Sequence, residues 1–127
     1  MRALSLALIA LIAVLHLYIA WFEIFAWESR GPEVFKSFPK ELFAPTKTLA
    51  ANQGLYNSFL AIGLIWALTI RDRVWQRKVA LAFLLFVAMA GLFGAATASP
   101  RIFFIQALPA IAAIALVLAM GRQISNK

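Results

Sequence analysis

There is no cysteine among the 127 residues, and only one histidine. The first absence removes disulfide frameworks, thiol nucleophiles and thiolate metal sites. The second argues against an internal multi-histidine metal site, so neither a metal nor a cofactor is expected. Acidic residues are scarce too: five Asp and Glu stand against twelve Lys and Arg, for a net charge of +7. In a soluble protein that excess would suggest nucleic acid. Here the basic residues flank hydrophobic runs, so anionic lipid head groups are the expected contact, and no nucleic-acid partner is expected.

What the chain has in quantity is apolar surface. It is 64% apolar, with a mean hydropathy of +0.87. Soluble domains are nearer half apolar, and a chain this short could not bury so much in water. Four apolar runs can be counted, at about Ala3–Trp27, Thr46–Ile70, Val79–Thr97 and Ile102–Met120. Each lies in or near the roughly 17–25 residues that cross a bilayer as a helix. Arg2 before the first run resembles the start of a signal peptide. The run is too long for one, however, and Trp21, Phe22 and Phe25 stand where a small-residue cleavage site would be needed. A retained first span is expected, within a single membrane domain covering 1–127.

The connections differ in character. Between Glu28 and Pro45, Pro32, Pro39 and Pro45 break any long helix, while Phe35, Phe38 and Phe43 sit among Lys36, Lys40 and Glu41. That mixture suits a long loop with aromatic anchors, resting in the head-group region. Arg71 to Lys78 is short and basic, with Trp75 at the interface. Ser99-Pro100 reads as an N-cap followed by proline at the first helical position. These joints fit an all-α, four-transmembrane-helix, up-down-up-down bundle. With the N-terminus inside, Arg2, Arg71, Arg73, Arg77, Lys78, Arg122 and Lys127 fall on the cytoplasmic side. Arg30, Lys36, Lys40, Lys47 and Arg101 fall on the other, so the bias puts both termini in the cytoplasm. Small residues recur every four positions at Ala90, Gly94 and Ala98, at Gly54 and Ser58, and at Gly63 and Ala67. Such rows let helix backbones approach, within the monomer or in a homodimer.

Glu23 is the only acidic residue inside a run, and a carboxylate there is expensive to insert, which makes it a functional-site candidate. His16 precedes it by seven residues, so an α-helix brings both to within about 20° of one face, roughly 10 Å apart along the axis. Trp27 continues the stripe. At 1.5 Å per residue, Glu23 lies about 6 Å and His16 about 16 Å below the outer end of the first span. In the second span Asn52 and Gln53 lie roughly 9–10 Å down and Asn57 about 16 Å down; in the fourth, Gln106 is about 6 Å in. Asn52, Gln53, Tyr56 and Asn57 share an arc of about 140°. Pro109 removes a donor and frees the carbonyl of Ile105 beside Gln106. A pocket is therefore expected, lined by Glu23, Asn52, Gln53, Asn57 and Gln106, floored by His16 and edged by Tyr56 and Trp27. Interhelical hydrogen bonding is the plain alternative for the amides.

Several stretches also carry a resemblance. They are His16-Leu17-Tyr18 with Glu23 and Trp27, and Thr46-Lys47 leading into Ala50-Ala51-Asn52-Gln53-Gly54-Leu55-Tyr56-Asn57. Later come Gly94-Ala95-Ala96-Thr97 and Gln106-Ala107-Leu108-Pro109. Together they resemble a bacterial and fungal family of small integral membrane proteins, domain of unknown function 1304. The resemblance implies four helices and a membrane location and assigns no catalytic role; a bacterial cytoplasmic membrane is the expected location. Two functions follow from the residues. One is a site for a lipophilic small molecule or lipid, with acid–base chemistry by Glu23 and His16 and with Asn52, Gln53, Tyr56, Asn57, Gln106 and Trp27 as substrate contacts. The other is a small proton-coupled exporter, although an acid near one end of its span offers no obvious alternating access. A non-catalytic accessory subunit is the third, plain reading.

Overall fold

Runs rich in Ala, Leu and Ile, with Pro39, Pro45 and Pro100 placed between them, give four helices in the computed structural model. It describes residues 2–125 and the side chains of 2–119. Lys127 and the side chain of Arg122, both counted on the inner side above, lie outside the described residues. Helix α1 is one rod, Arg2–Val34. It consists of an α-helix Arg2–Trp21, a π-helical turn Phe22–Ala26 and a second α-helix Trp27–Val34. After a connection with one 3₁₀ turn, Lys40–Leu42, come α2 (Lys47–Thr69) and α3 (Arg73–Thr97). Helix α4 begins at Arg101, widens almost at once into a second π-helical turn, Phe103–Ala107, and continues as Leu108–Ser125. No strand occurs among the described residues. Two of the helices, Arg2–Val34 and Arg73–Thr97, are long and apolar enough to cross a membrane.

Two ends differ from the sequence expectation. Pro32 does not stop α1, which runs on to Val34. The proline stands two residues from the end, so it removes a hydrogen bond only from the last turn. Gly31, buried under the ring of Phe43, ties that turn to the connection; a Cβ at Gly31 would collide with Phe43 Cε1 and Cδ1. Helix α3 starts six residues before the apolar run does, because Asp72 caps it: its Oδ1 accepts from the Trp75 backbone N–H at 2.7 Å. The side chain of Gln76 then donates to the carbonyls of Ala67 and Ile70, at 3.2 and 3.1 Å, closing the end of α2. At the third joint the carbonyls of Ser99 and Pro100 accept from Ile102 and Phe103, and no side-chain cap is made at Ile102.

Each helix packs against its neighbours in sequence, and α4 closes the ring on α1. Gly54 meets Ala20 to Ile24, Gly63 meets Phe83, and Gly91 meets Ala107, so successive helices run antiparallel. The core lies toward one end: Ile9, Ile12 and Ala13 of α1 pack with Leu64 and Ala67, with Leu84 and Val87, and with Ala110, Ala113 and Val117. Outside it, large apolar side chains stand exposed on all four helices, among them Phe25 (75%), Phe59, Ile62, Phe86, Phe93 (72%) and Phe104.

Candidate functional site

The opposite end of the bundle is closed by the connection between α1 and α2. Its aromatic residues do not simply anchor outward; they fold onto α1 around one tryptophan. Trp27 has the rings of Phe22, Phe35, Phe38 and Phe43 at centroid distances of 6.3, 5.7, 6.1 and 5.0 Å. Pairs at such spacings add to stability beyond the area they bury. Its indole Nε1–H donates to Thr46 Oγ1 at 3.0 Å, and that hydroxyl donates in turn to the carbonyl of Leu42 at 2.6 Å. Lys47 and Glu28 form an ion pair at 2.6 Å across the same junction. Both partners are exposed, so its stabilising effect is small.

Beneath this cap, on the α1–α2 face, Glu23 meets Asn57. The Asn57 Nδ2 donates to Glu23 Oε2 at 2.8 Å, and also reaches the carbonyl of Gln53 at 3.3 Å. The pair depends on close approach of the two backbones. At Gly54 a Cβ would lie 2.7 Å from Ile24 Cγ1, 2.9 Å from the Ala20 carbonyl oxygen and 3.1 Å from Glu23 Cβ. Any side chain there would have to displace its neighbours. Among the described residues Glu23 Oε1 makes no hydrogen bond. Glu23 borders a cleft of about 250 Å³ lined also by Trp27, Phe38, Thr46, Leu49, Ala50 and Gln53. The lining is almost wholly apolar apart from Glu23 and Gln53, since Thr46 is committed to the Trp27–Leu42 chain of hydrogen bonds.

The residues named from the sequence thus divide. Glu23, Gln53 and Trp27 border the cleft, and Asn57 holds Glu23 from beside it. Asn52 and Tyr56, assigned to the same arc, are exposed and outside the cleft lining. Gln106 does not come to Glu23: its Nε2 donates to the Val87 carbonyl at 3.3 Å, joining α4 to α3. The reason is its own π-helical turn, closed by a Leu108 N–H to Phe103 carbonyl bond just before Pro109. His16 is fully buried, with Nδ1 donating to the Ile12 carbonyl at 2.8 Å and Nε2 without a partner. It makes no hydrogen bond to Glu23, in keeping with their separation of about 10 Å along the helix axis. Thr46, Phe38 and Leu49 belong to the cleft and were not among the sequence candidates. Thr46 follows Pro45 directly, a position that reads as a helix start rather than as an acceptor for a distant indole. Among the described residues no group of three or more His, Asp and Glu is placed to hold a metal ion.

A small constellation results: one carboxylate held at Oε2 by a carboxamide, on a residue that borders a largely apolar cleft with an aromatic wall. Such an arrangement suits binding of an amphiphile with a polar head. In comparison with known proteins, the chain is 31% identical over 116 residues to an uncharacterized protein, YpaA, of Lactococcus lactis subsp. lactis (strain IL1403). That match covers 90% of this chain and 96% of the relative. No solved structure matches. The family described as "Protein of unknown function (DUF1304)" matches residues 10–118, a stretch that takes in both π-helical turns, the aromatic cap and the Glu23–Asn57 pair, and the chain belongs to that family.

Proposed function

We propose that this is an integral membrane protein of four antiparallel spans, and that the cleft at Glu23 binds a lipophilic small molecule or a lipid. The exposed belts of Phe, Leu, Ile and Trp on every helix support the membrane reading, because monomeric soluble proteins rarely show contiguous apolar patches on that scale. Helix α2, with 23 residues, is about 34 Å long and matches the hydrocarbon thickness of a bilayer. The excess of basic residues at Arg71, Arg73, Arg77 and Lys78 supports cytoplasmic termini and a bacterial inner membrane. One observation carries the functional reading: Glu23, held at Oε2 by Asn57 and with no hydrogen-bond partner on Oε1 among the described residues, borders a mostly apolar cleft.

The test is whether the cleft holds a ligand. The protein, purified from membranes in mild detergent, is expected to retain about one amphiphile per chain, measured by extraction and mass spectrometry. Gln53→Trp places an indole in the cleft from an exposed position and should expel that molecule while leaving helicity unchanged. Equal retention by the variant, or no retained amphiphile in either protein, refutes the reading.

A further inference from the structure

The Glu23 carboxyl group borders the cleft with no cation of the described residues beside it. Among the described residues no Lys, Arg or His nitrogen lies within 4.0 Å of the Glu23 carboxylate. The cation nearest in sequence on α2, Lys47, is committed to Glu28 at 2.6 Å, and Arg30 lies over the Trp21 ring at 5.6 Å. Asn57 gives Glu23 a donor on Oε2 but no charge. A carboxylate in an apolar setting without a counter-ion is costly, and a ligand that brings one relieves that cost.

We propose that the group held at Glu23 is an alkylammonium, the protonated amine head of an amphiphile. This rests on the reading of the cleft as an amphiphile site and names its ligand class. Three features of the cleft select that chemistry. The Glu23 carboxylate, with Oε1 free of donors among the described residues, accepts an N–H and supplies the opposite charge. Trp27 and Phe38, with ring centroids 6.1 Å apart and planes inclined by 56°, form a wall beside it, and aromatic faces attract cations. Leu49 and Ala50 complete the lining with apolar surface suited to methylene groups. An anionic head is repelled by Glu23, and a neutral hydroxyl gains only a hydrogen bond. The same ammonium chemistry occurs in a free amphiphilic amine and in an ethanolamine lipid head group.

The experiment uses the full chain in bilayer discs of phosphatidylcholine and phosphatidylglycerol, with empty discs as the partition control. The probes are dodecylamine and dodecanol, alike in tail and different in head. Dodecylamine is expected to bind saturably and more tightly than dodecanol. Glu23→Gln, whose amide oxygen still accepts from Asn57, should weaken the amine about ten- to hundredfold, the span of one charge-assisted hydrogen bond, with little effect on the alcohol. Gln53→Lys tethers an ammonium at the cleft without touching Glu23, and should weaken dodecylamine comparably. Competition by phosphatidylethanolamine in the discs identifies the lipid head group as the source; unchanged binding in its presence identifies a free amine. Equal affinity for amine and alcohol, or wild-type amine affinity in a helical Glu23→Gln protein, overturns the ammonium assignment and leaves the amphiphile site standing. No saturable binding of either probe overturns the site itself.

Discussion

Adding one methyl group at Gly54 tests how closely α1 and α2 are held at the site. A Cβ there would stand 2.7 Å from Ile24 Cγ1 and 2.9 Å from the Ala20 carbonyl oxygen. Carbon atoms in ordinary contact are about 3.5–4.0 Å apart, so relief requires a local shift of about 0.8 Å. Ile24 can give by turning its side chain; the Ala20 carbonyl belongs to the helix and cannot. Overpacking of this kind costs about 1–3 kcal/mol, against the roughly 1 kcal/mol that alanine gains over glycine in a helix. The expected balance for Gly54→Ala is therefore a net loss of about 1 kcal/mol, with the Glu23–Asn57 contact stretched. Gly91→Ala should be worse, because its Cβ meets only Ala107, at 2.6 Å from the backbone nitrogen and 3.0 Å from Cα. Gly94→Ala is the control: it meets only side-chain atoms, Ile102 Cγ2 at 3.2 Å and Cδ1 at 3.4 Å, which need give by only a few tenths of an ångström, so the propensity gain prevails and the change is neutral or stabilising. Unfolding midpoints of the three variants, measured in one detergent, check the order. If Gly54→Ala and Gly91→Ala are as stable as Gly94→Ala, the close backbone contacts at both positions are refuted.

Two further outcomes follow from the cap and the absent cysteines. Trp27→Phe keeps a ring among Phe35, Phe38 and Phe43 but deletes the donor to Thr46, and should cost about 1 kcal/mol; faster amide exchange confined to residues 35–46 would show the loss. Because the chain has no native cysteine, Lys36→Cys and Arg73→Cys each give a single thiol at an exposed position. In intact bacterial cells an impermeant maleimide should label the first and reach the second only after permeabilisation; the reverse pattern refutes the proposed orientation.

Part of this arrangement is legible from helical rise and periodicity alone. The rise per residue puts Glu23 and Asn57 in the same half of the bundle but Asn57 level with His16; the structure instead brings Asn57 to Glu23. Gly54, read as a small residue for close packing, is where α1 and α2 approach. What could not be read is the π-helical geometry, which has no composition of its own. A turn that holds one extra residue rotates everything beyond it by about 100°. Trp27, aligned with His16 on an unbroken helix, instead faces the rings of the connection. Gln106, level with Glu23 by depth, spends its amide on Val87. Pro109 signalled a disturbed backbone beside Gln106, but not the direction in which the side chain would go. Pro32 misled for a different reason: close to a helix end its lost bond is cheap, and the buried Gly31–Phe43 contact holds the turn.

The widened turn at Phe22–Ala26 also works as a phase shifter. Residues before it, from Ser5 to Ala20, are in register with the aliphatic interior, while those after it are in register with the benzene and indole rings of the cap. One continuous rod thereby keeps two sets of partners that a single helical repeat could not satisfy together. Glu23 lies at the seam, where the backbone changes from one register to the other, so the direction of its carboxylate is set by a surplus residue in the main chain as well as by Asn57.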